Sequence, residues 1–168
     1  VTRMEFCLRQ VIDPDLPLVL DLNEQARPQV NRIDLETIRW FARTAAYFRV
    51  AEIDGRVAAF LIAITPQTDY PSQYFGWFCQ RYTDFLYIDR IVVAAWARRR
   101  GVGLALYRDL EQVAGESGYT LATEVYSDPP NDISLAFHAN YGFEQVGSQV
   151  IVDGGTKTVA KFLKSPSV

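Results

Sequence analysis

Three arginines in a row, Arg98, Arg99 and Arg100, run directly into Gly101-Val102-Gly103. The stretch before them, Phe85 to Val93, has the apolar and β-branched character of a strand, and apolar residues recur at helical spacing after them. A strand, a short arginine- and glycine-bearing turn and a helix point several backbone N–H groups at one spot, at the positive end of the helix dipole. Gly101 and Gly103 carry no side chain, so an anion can approach the backbone closely. The chemistry that fits is the grip on a pyrophosphate, with Arg98, Arg99, Arg100, Gly101, Val102 and Gly103 as its cradle. Two other phosphate motifs are excluded. Leu104-Ala105 stands where a P-loop needs Lys followed by Ser or Thr, and the dinucleotide fingerprint lacks its third glycine.

A second chemical stretch begins 28 residues past Gly103: Asn131-Asp-Ile-Ser134-Leu-Ala-Phe137-His138-Ala-Asn-Tyr141-Gly142-Phe143. The spacing Arg98-x-x-Gly101-x-Gly103 resembles the acetyl-CoA pyrophosphate loop of the GNAT acetyltransferase superfamily. The second stretch resembles that family's segment of Asn, two residues, Ala or Ser, two residues, an aromatic or Leu, usually Tyr, then Gly-Phe. The two motifs stand in the family's order, and the resemblance covers nearly the whole chain. It implies acetyl-CoA as co-substrate, no metal, and a GNAT-like acyl-CoA N-acyltransferase fold with splayed central strands. It further implies that Ile91, Val92 and Val93 offer a backbone edge to the pantetheine arm, as an added strand would, and that Asn131, Ser134 and Phe137 contact the same arm. The family's usual Tyr aligns with His138, the single histidine. The strand from Asp84 to Val93 and the aromatic segment before it are similar to bacterial predicted GNAT proteins without a known substrate.

Acetyl transfer to an amine needs a neutral nucleophile, stabilisation of the developing oxyanion and a proton for the leaving thiolate. Asp89 is the first candidate base, since strand alternation puts it on the face of Tyr87, Ile91 and Val93. An ion pair with a nearby Arg is its equal alternative. Glu124 on the neighbouring strand is a second candidate, acting through water. His138 can donate a proton near neutral pH, with Tyr141 as the alternative donor; packing or cofactor contact is the plainer role for His138. Cys79 has no histidine nearby in sequence and does not read as a nucleophile.

The elements that position these residues can be read in outline. Phe6–Gln10 reads as a strand; Asp13-Pro14 opens a helix with Asp13 as its cap; a second helix runs from Asp34 to about Thr44. Tyr47–Ile53 and Arg56–Ile64 flank Asp54-Gly55, a hairpin signal. Thr65–Thr83 shows no period and reads as a long loop. Phe85–Val93 is a strand, Gly103–Gly118 a helix and Leu121–Tyr126 a strand. Ile133–Asn140 is a short helix capped by Asp132, and Val146–Val152 with Thr158–Leu163 make a final pair of strands. The order β, α, α, β, β, β, α, β, α, β, β predicts an α/β (α+β) fold, a mixed sheet with helices on its faces, in one domain spanning residues 1–168.

Bulk composition narrows the partners. A formal net charge of -3 argues against a general nucleic-acid binder. No apolar run approaches the roughly 18–20 residues that span a bilayer, and the N-terminus does not read as a secretory signal. Cys7 and Cys79 do not suggest a disulfide framework, and two Cys with one His make a zinc site improbable. The expectation is a cytoplasmic protein whose acceptor is a primary amine of a small molecule or peptide. By resemblance the acceptor meets Asn23–Asp34 and Thr65–Thr83. The second carries Tyr70, Tyr74, Trp77 and Tyr82, whose faces suit a cationic amine and suit a homodimer contact equally. Two rivals stand beside this reading: a protein N-terminal or lysine acetyltransferase, and a non-catalytic acyl-CoA-binding sensor module.

Overall fold

Asp54 and Gly55 take φ of +50° and +75°, the pair of positive angles that a two-residue hairpin turn needs. They join strand β2 (Tyr47–Ile53) to β3 (Arg56–Ile64), and β1 (Phe6–Gln10) lies antiparallel on the other side of β2. The chain, a computed structural model describing residues 5–166, continues with β4 (Phe85–Val93), β5 (Thr120–Asp128), β6 (Glu144–Val152) and β7 (Thr156–Lys164). All seven strands form one mixed sheet in the order β1-β2-β3-β4-β5-β7-β6. This is the mixed α/β class the element order predicts. The chain groups into two compact units, the first being the residues up to Ile64 with Ile88–Val113, the second Thr65–Tyr87 with Ala114 onward.

In the first unit, helices α1 (Leu16–Gln25) and α2 (Leu35–Thr44) pack together, and α1 packs on β3. Leu16, Val19, Ile38 and Phe41 are buried there, as are Phe48, Val50, Phe60 and Ile62 from the strands. Asp34 caps α2 by accepting the Thr37 N–H at 2.7 Å. The entry to α1 departs from expectation. Asp13–Asp15 is a 3₁₀ turn ahead of α1, and Asp15, not Asp13, does the anchoring. Its carboxylate accepts the Ile12 N–H at 2.9 Å and a bidentate pair from Arg9 at 2.7 and 2.9 Å. Arg9 also donates to Glu52 of β2 at 2.9 Å. Helix α4 (Val102–Glu116) is tied in through Asp109, which accepts from Tyr47 Oη at 2.7 Å and Arg49 at 2.8 Å.

In the second unit, Phe85–Tyr87 of β4 pair parallel with Thr120–Ala122 of β5, and β7 lies antiparallel between β5 and β6. Helix α5 (Asp132–Tyr141) packs on β5 and ends at Gly142. Its cap is Asn131 rather than Asp132: Asn131 Oδ1 accepts the Ser134 N–H at 3.3 Å. The segment read as a loop contains a further helix, α3 (Gln73–Cys79), capped by Ser72 Oγ on the Phe75 N–H. Two buried residues three apart, Phe75 and Phe78, are all the pattern that a seven-residue helix can display.

Gly147 of β6 exists for α3. A Cβ at that position would stand 2.7 and 2.9 Å from two ring atoms of Trp77, so the indole lies where a side chain would be. Gly147→Ala should therefore lower the unfolding free energy by about 1–3 kcal/mol, measured by urea denaturation. An unchanged midpoint would show that the indole moves aside at no cost.

Candidate active site

The arginine- and glycine-bearing turn belongs to the first unit. Strand β4 ends at Val93, a 3₁₀ turn covers Ala95–Ala97, and Arg98 is extended at φ −67° and ψ 156°. Arg99 then takes φ +62° and Gly101 φ +80°. A glycine at 101 adopts that angle without the Cβ penalty other residues meet. Arg98, Arg99 and Arg100 are exposed, and Val102 is buried beneath them as the first residue of α4. Gly101 O accepts the Ala105 N–H at 3.0 Å, which starts the helical ladder. The N–H groups of a first helical turn have no acceptor inside their own helix. Concentrated positive charge and a helix start of this kind suit a polyphosphate. Gly103 faces Val93, with 3.6 Å left for a Cβ. Ile91 and Val93 are half-buried on β4, and Val92 is buried.

On the same strand, Asp89 is engaged. Arg90 Nε donates to its Oδ2 at 2.7 Å, with both side chains less than a tenth exposed. The same guanidinium donates to Asn23 Oδ1 and to Asn31 O, each at 3.0 Å, and Asn23 Nδ2 reaches Asn31 O at 3.0 Å. The ion-pair alternative for Asp89 is what the geometry shows.

The second unit holds the other candidates. His138 is buried, with Nδ1 2.7 Å from Ser134 O and 3.3 Å from Ser134 Oγ. A carbonyl only accepts, so Nδ1 carries the proton of the neutral ring. Its ring meets Phe143 edge-on at 5.2 Å and stacks on Phe162 at 6.1 Å. Burial pulls its pKa below the ordinary histidine value, against the Ser134 bond that raises it. Tyr141 is half-buried, its ring stacked on Phe137 at 6.1 Å and covered by the Lys164 ammonium at 5.6 Å.

The aromatic segment already has cations of its own. Lys161 of β7 is fully buried, and its Nζ lies 5.4, 5.5 and 5.0 Å from the ring centroids of Tyr74, Trp77 and Phe78. Arg81 covers the Trp77 ring at 4.0 Å. Lys161 Nζ also donates to Tyr74 O at 3.1 Å and stands 3.7 Å from Glu124 Oε2, while Tyr87 Oη donates to Glu124 Oε1. Tyr74 and Tyr126 hydroxyls meet at 3.4 Å. Tyr70 packs against Phe75, its ring centroid 6.0 Å away, and Tyr82 lines a cavity of about 270 Å³ with Arg81, Asp84, Phe85, Thr120 and Leu163. Lys161 carries no motif, and its only sequence signal is a lysine within an otherwise apolar run, Val159 to Leu163. Both cysteines are free thiols. Among the described residues, no group of three or more His, Cys, Asp or Glu is placed to hold a metal, and no helix is long and apolar enough to cross a membrane.

A model of the acetyltransferase (GNAT) family matches residues 16–143. The chain belongs to that family. No curated protein matches it. Solved GNAT structures share its fold at low identity. A ribosomal-protein-S18-alanine N-acetyltransferase from Escherichia coli is 18% identical, with 98% of this chain and 96% of that one covered at a TM-score of 0.73. An N-acetyltransferase from Staphylococcus aureus gives 20%, 97%, 99% and 0.73 for the same measures. Arabidopsis thaliana NAA60 in complex with acetyl-CoA gives 15%, 96%, 99% and 0.75. The GNAT resemblance of the two sequence motifs thus holds at the level of family and fold.

Burial also pulls the Lys161 ammonium down to about 8 from its ordinary 10.5, with Glu124 resisting. Between those values the unfolded chain binds more protons than the folded one, so this group makes stability rise with pH from about 8 to 10.5. Below 8 it is a constant cost. Relative to Lys161→Met, the wild type should gain on the order of 1–3 kcal/mol of unfolding free energy from pH 7.5 to 10. Parallel denaturant titrations across that range measure the difference; a gap independent of pH would refute it.

Proposed function

We propose that this GNAT protein moves an acetyl group from acetyl-CoA directly to a primary amine of a small molecule or peptide. The observation that carries the reading is the exposed Arg98–Arg100 run leading through the positive-φ Gly101 into a 15-residue helix. Arg98, Arg99 and Arg100, with the first N–H groups of α4, would hold the pyrophosphate. Ile91–Val93 of β4 and Asn131, Ser134 and Phe137 of α5 would meet the pantetheine arm. Acetyl-CoA supplies an activated acyl carbon and a thiolate leaving group.

This chain's own residues then manage protons. The acceptor must give up an ammonium proton before it can attack. Glu124 suits that role better than Asp89, because Asp89 is committed to buried Arg90, whereas the Glu124 side chain keeps 13% of its surface exposed. The departing sulfur needs a proton, and Tyr141 is the better donor. His138 has its neutral-form proton on Nδ1, directed at Ser134 O.

Release of free thiol from acetyl-CoA, followed against amines, amino acids, polyamines and short peptides, tests the reaction. Peptide N-termini belong in the panel because the Escherichia coli protein of the same fold is a ribosomal-protein alanine acetyltransferase. Arg98→Ala should weaken acetyl-CoA binding about tenfold or more by calorimetry. Tyr141→Phe should lower kcat about 100-fold with binding intact. Acetyl-CoA binding without turnover on any acceptor would instead support an acyl-CoA sensor, and no binding would end the reading.

A further inference from the structure

Lys161 is a charge in a place built for an apolar residue. Its side chain has no exposure, three aromatic rings surround its ammonium, and Val159, Ala160 and Phe162 beside it are buried. A methionine would fill such a site without the cost of dehydrating a cation. What an apolar residue cannot do is act on Glu124. The two are directly opposed in the antiparallel register of β5 and β7, with Nζ 3.7 Å from Oε2. The other carboxylate oxygen accepts the Tyr87 hydroxyl from β4, so three neighbouring strands contribute to one line of groups, Lys161, Glu124 and Tyr87. Glu124 alone among them combines a carboxylate with partial exposure, at 13% of its side chain.

We propose that Lys161 is a positioning residue for acetyl transfer, its buried ammonium holding Glu124 in the charged form that accepts the acceptor's proton. The inference rests on the acetyl-transfer reading above. Lys161 cannot reach substrate itself and acts through Glu124. The other titratable and charged groups of the cluster are Tyr74 on α3, Arg81 beyond its end and Tyr126 on β5. Lys157 on β7 lies over the Tyr126 ring, and Asp153 stands in the β6–β7 turn. Among the described residues, Arg81 is the other cation acting on Lys161, and it lowers rather than supports the charge there.

The experiment is the pH profile of kcat/KM for one fixed amine, from pH 5 to 8, in wild type, Lys161→Met, Lys161→Gln and Glu124→Gln. Losing an opposite charge at this distance should move the acid limb up by about 1–3 pH units in both Lys161 variants. Glu124→Gln should abolish that limb. Lys161→Gln keeps a donor for Tyr74 O without the charge, so it separates electrostatics from simple support of α3. It also serves if Lys161→Met fails to fold. Acetyl-CoA affinity should stay within about twofold in every variant. An unmoved limb in an active Lys161→Gln enzyme overturns the role of Lys161 and leaves acetyl transfer standing. Absence of thiol release by wild type with every amine overturns both.

Discussion

A cation removed from water must be compensated by neighbouring groups or give up its proton, and in this molecule Lys161 imposes that condition on the second unit. Its compensation comes from the Tyr74 carbonyl, the Glu124 carboxylate and the faces of three rings. All three rings and the carbonyl lie on α3, so the short helix has to form where it does for the lysine to be tolerated. The indole of Trp77 in turn lies against Gly147 of β6. One buried ammonium therefore links α3, β5 and β7 directly, and β6 through the ring that covers it.

Charge is handled differently in the first unit. Arg9 joins Asp15 to Glu52, Arg49 joins β2 to Asp109 on α4, and Arg90 gathers Asp89, Asn23 and Asn31. Each guanidinium spans elements far apart in sequence through planar, directed donors, which is what Arg does better than Lys. Pairs of this kind define position more than they add stability, because a buried pair must first repay its dehydration. Arg98, Arg99 and Arg100 crowd one sign of charge on an exposed turn of a chain with net charge -3, and an anion bound there would reduce the repulsion among them.

What the sequence made legible follows from locality. The Asp54-Gly55 hairpin, the helix opening at Asp34 and β4 leading into α4 depend on residues within a few positions of one another, and their expected bounds lie close to those observed. The cap of α1 was displaced from Asp13 to Asp15 because Arg9 and the Ile12 N–H, not propensity, select the anchor. Helix α3 was missed since seven residues show less than two turns of periodicity, and its aromatics disguised the pattern. The aromatic faces suit a cation, and one that covers them is internal to the chain. The approach of Lys161, some 80 residues further on, depends on the pairing of β5 with β7, which no short window contains. The same holds for Arg90 and Asp89, adjacent in sequence yet bonded to each other because Asn23 and Asn31 hold the guanidinium in place.

The substitution of histidine for the family's usual tyrosine at position 138 bears most on how the proposed reaction ends. A tyrosine hydroxyl carries its one proton at the tip of the side chain, where it can be handed to a leaving group. A neutral imidazole with its proton on Nδ1, bonded back to the helix carbonyl one turn earlier, presents the opposite end as an acceptor. Only the imidazolium could donate from that end, and burial against Phe143 and Phe162 disfavours the imidazolium. His138 thus has the surroundings of a residue that fixes α5 to the sheet. Tyr141 is three residues on, where helical spacing brings its ring onto Phe137 and beneath the Lys164 ammonium. In the proposed reaction, the departure from the family pattern moves the donor's role from position 138 to Tyr141, one helical turn along α5.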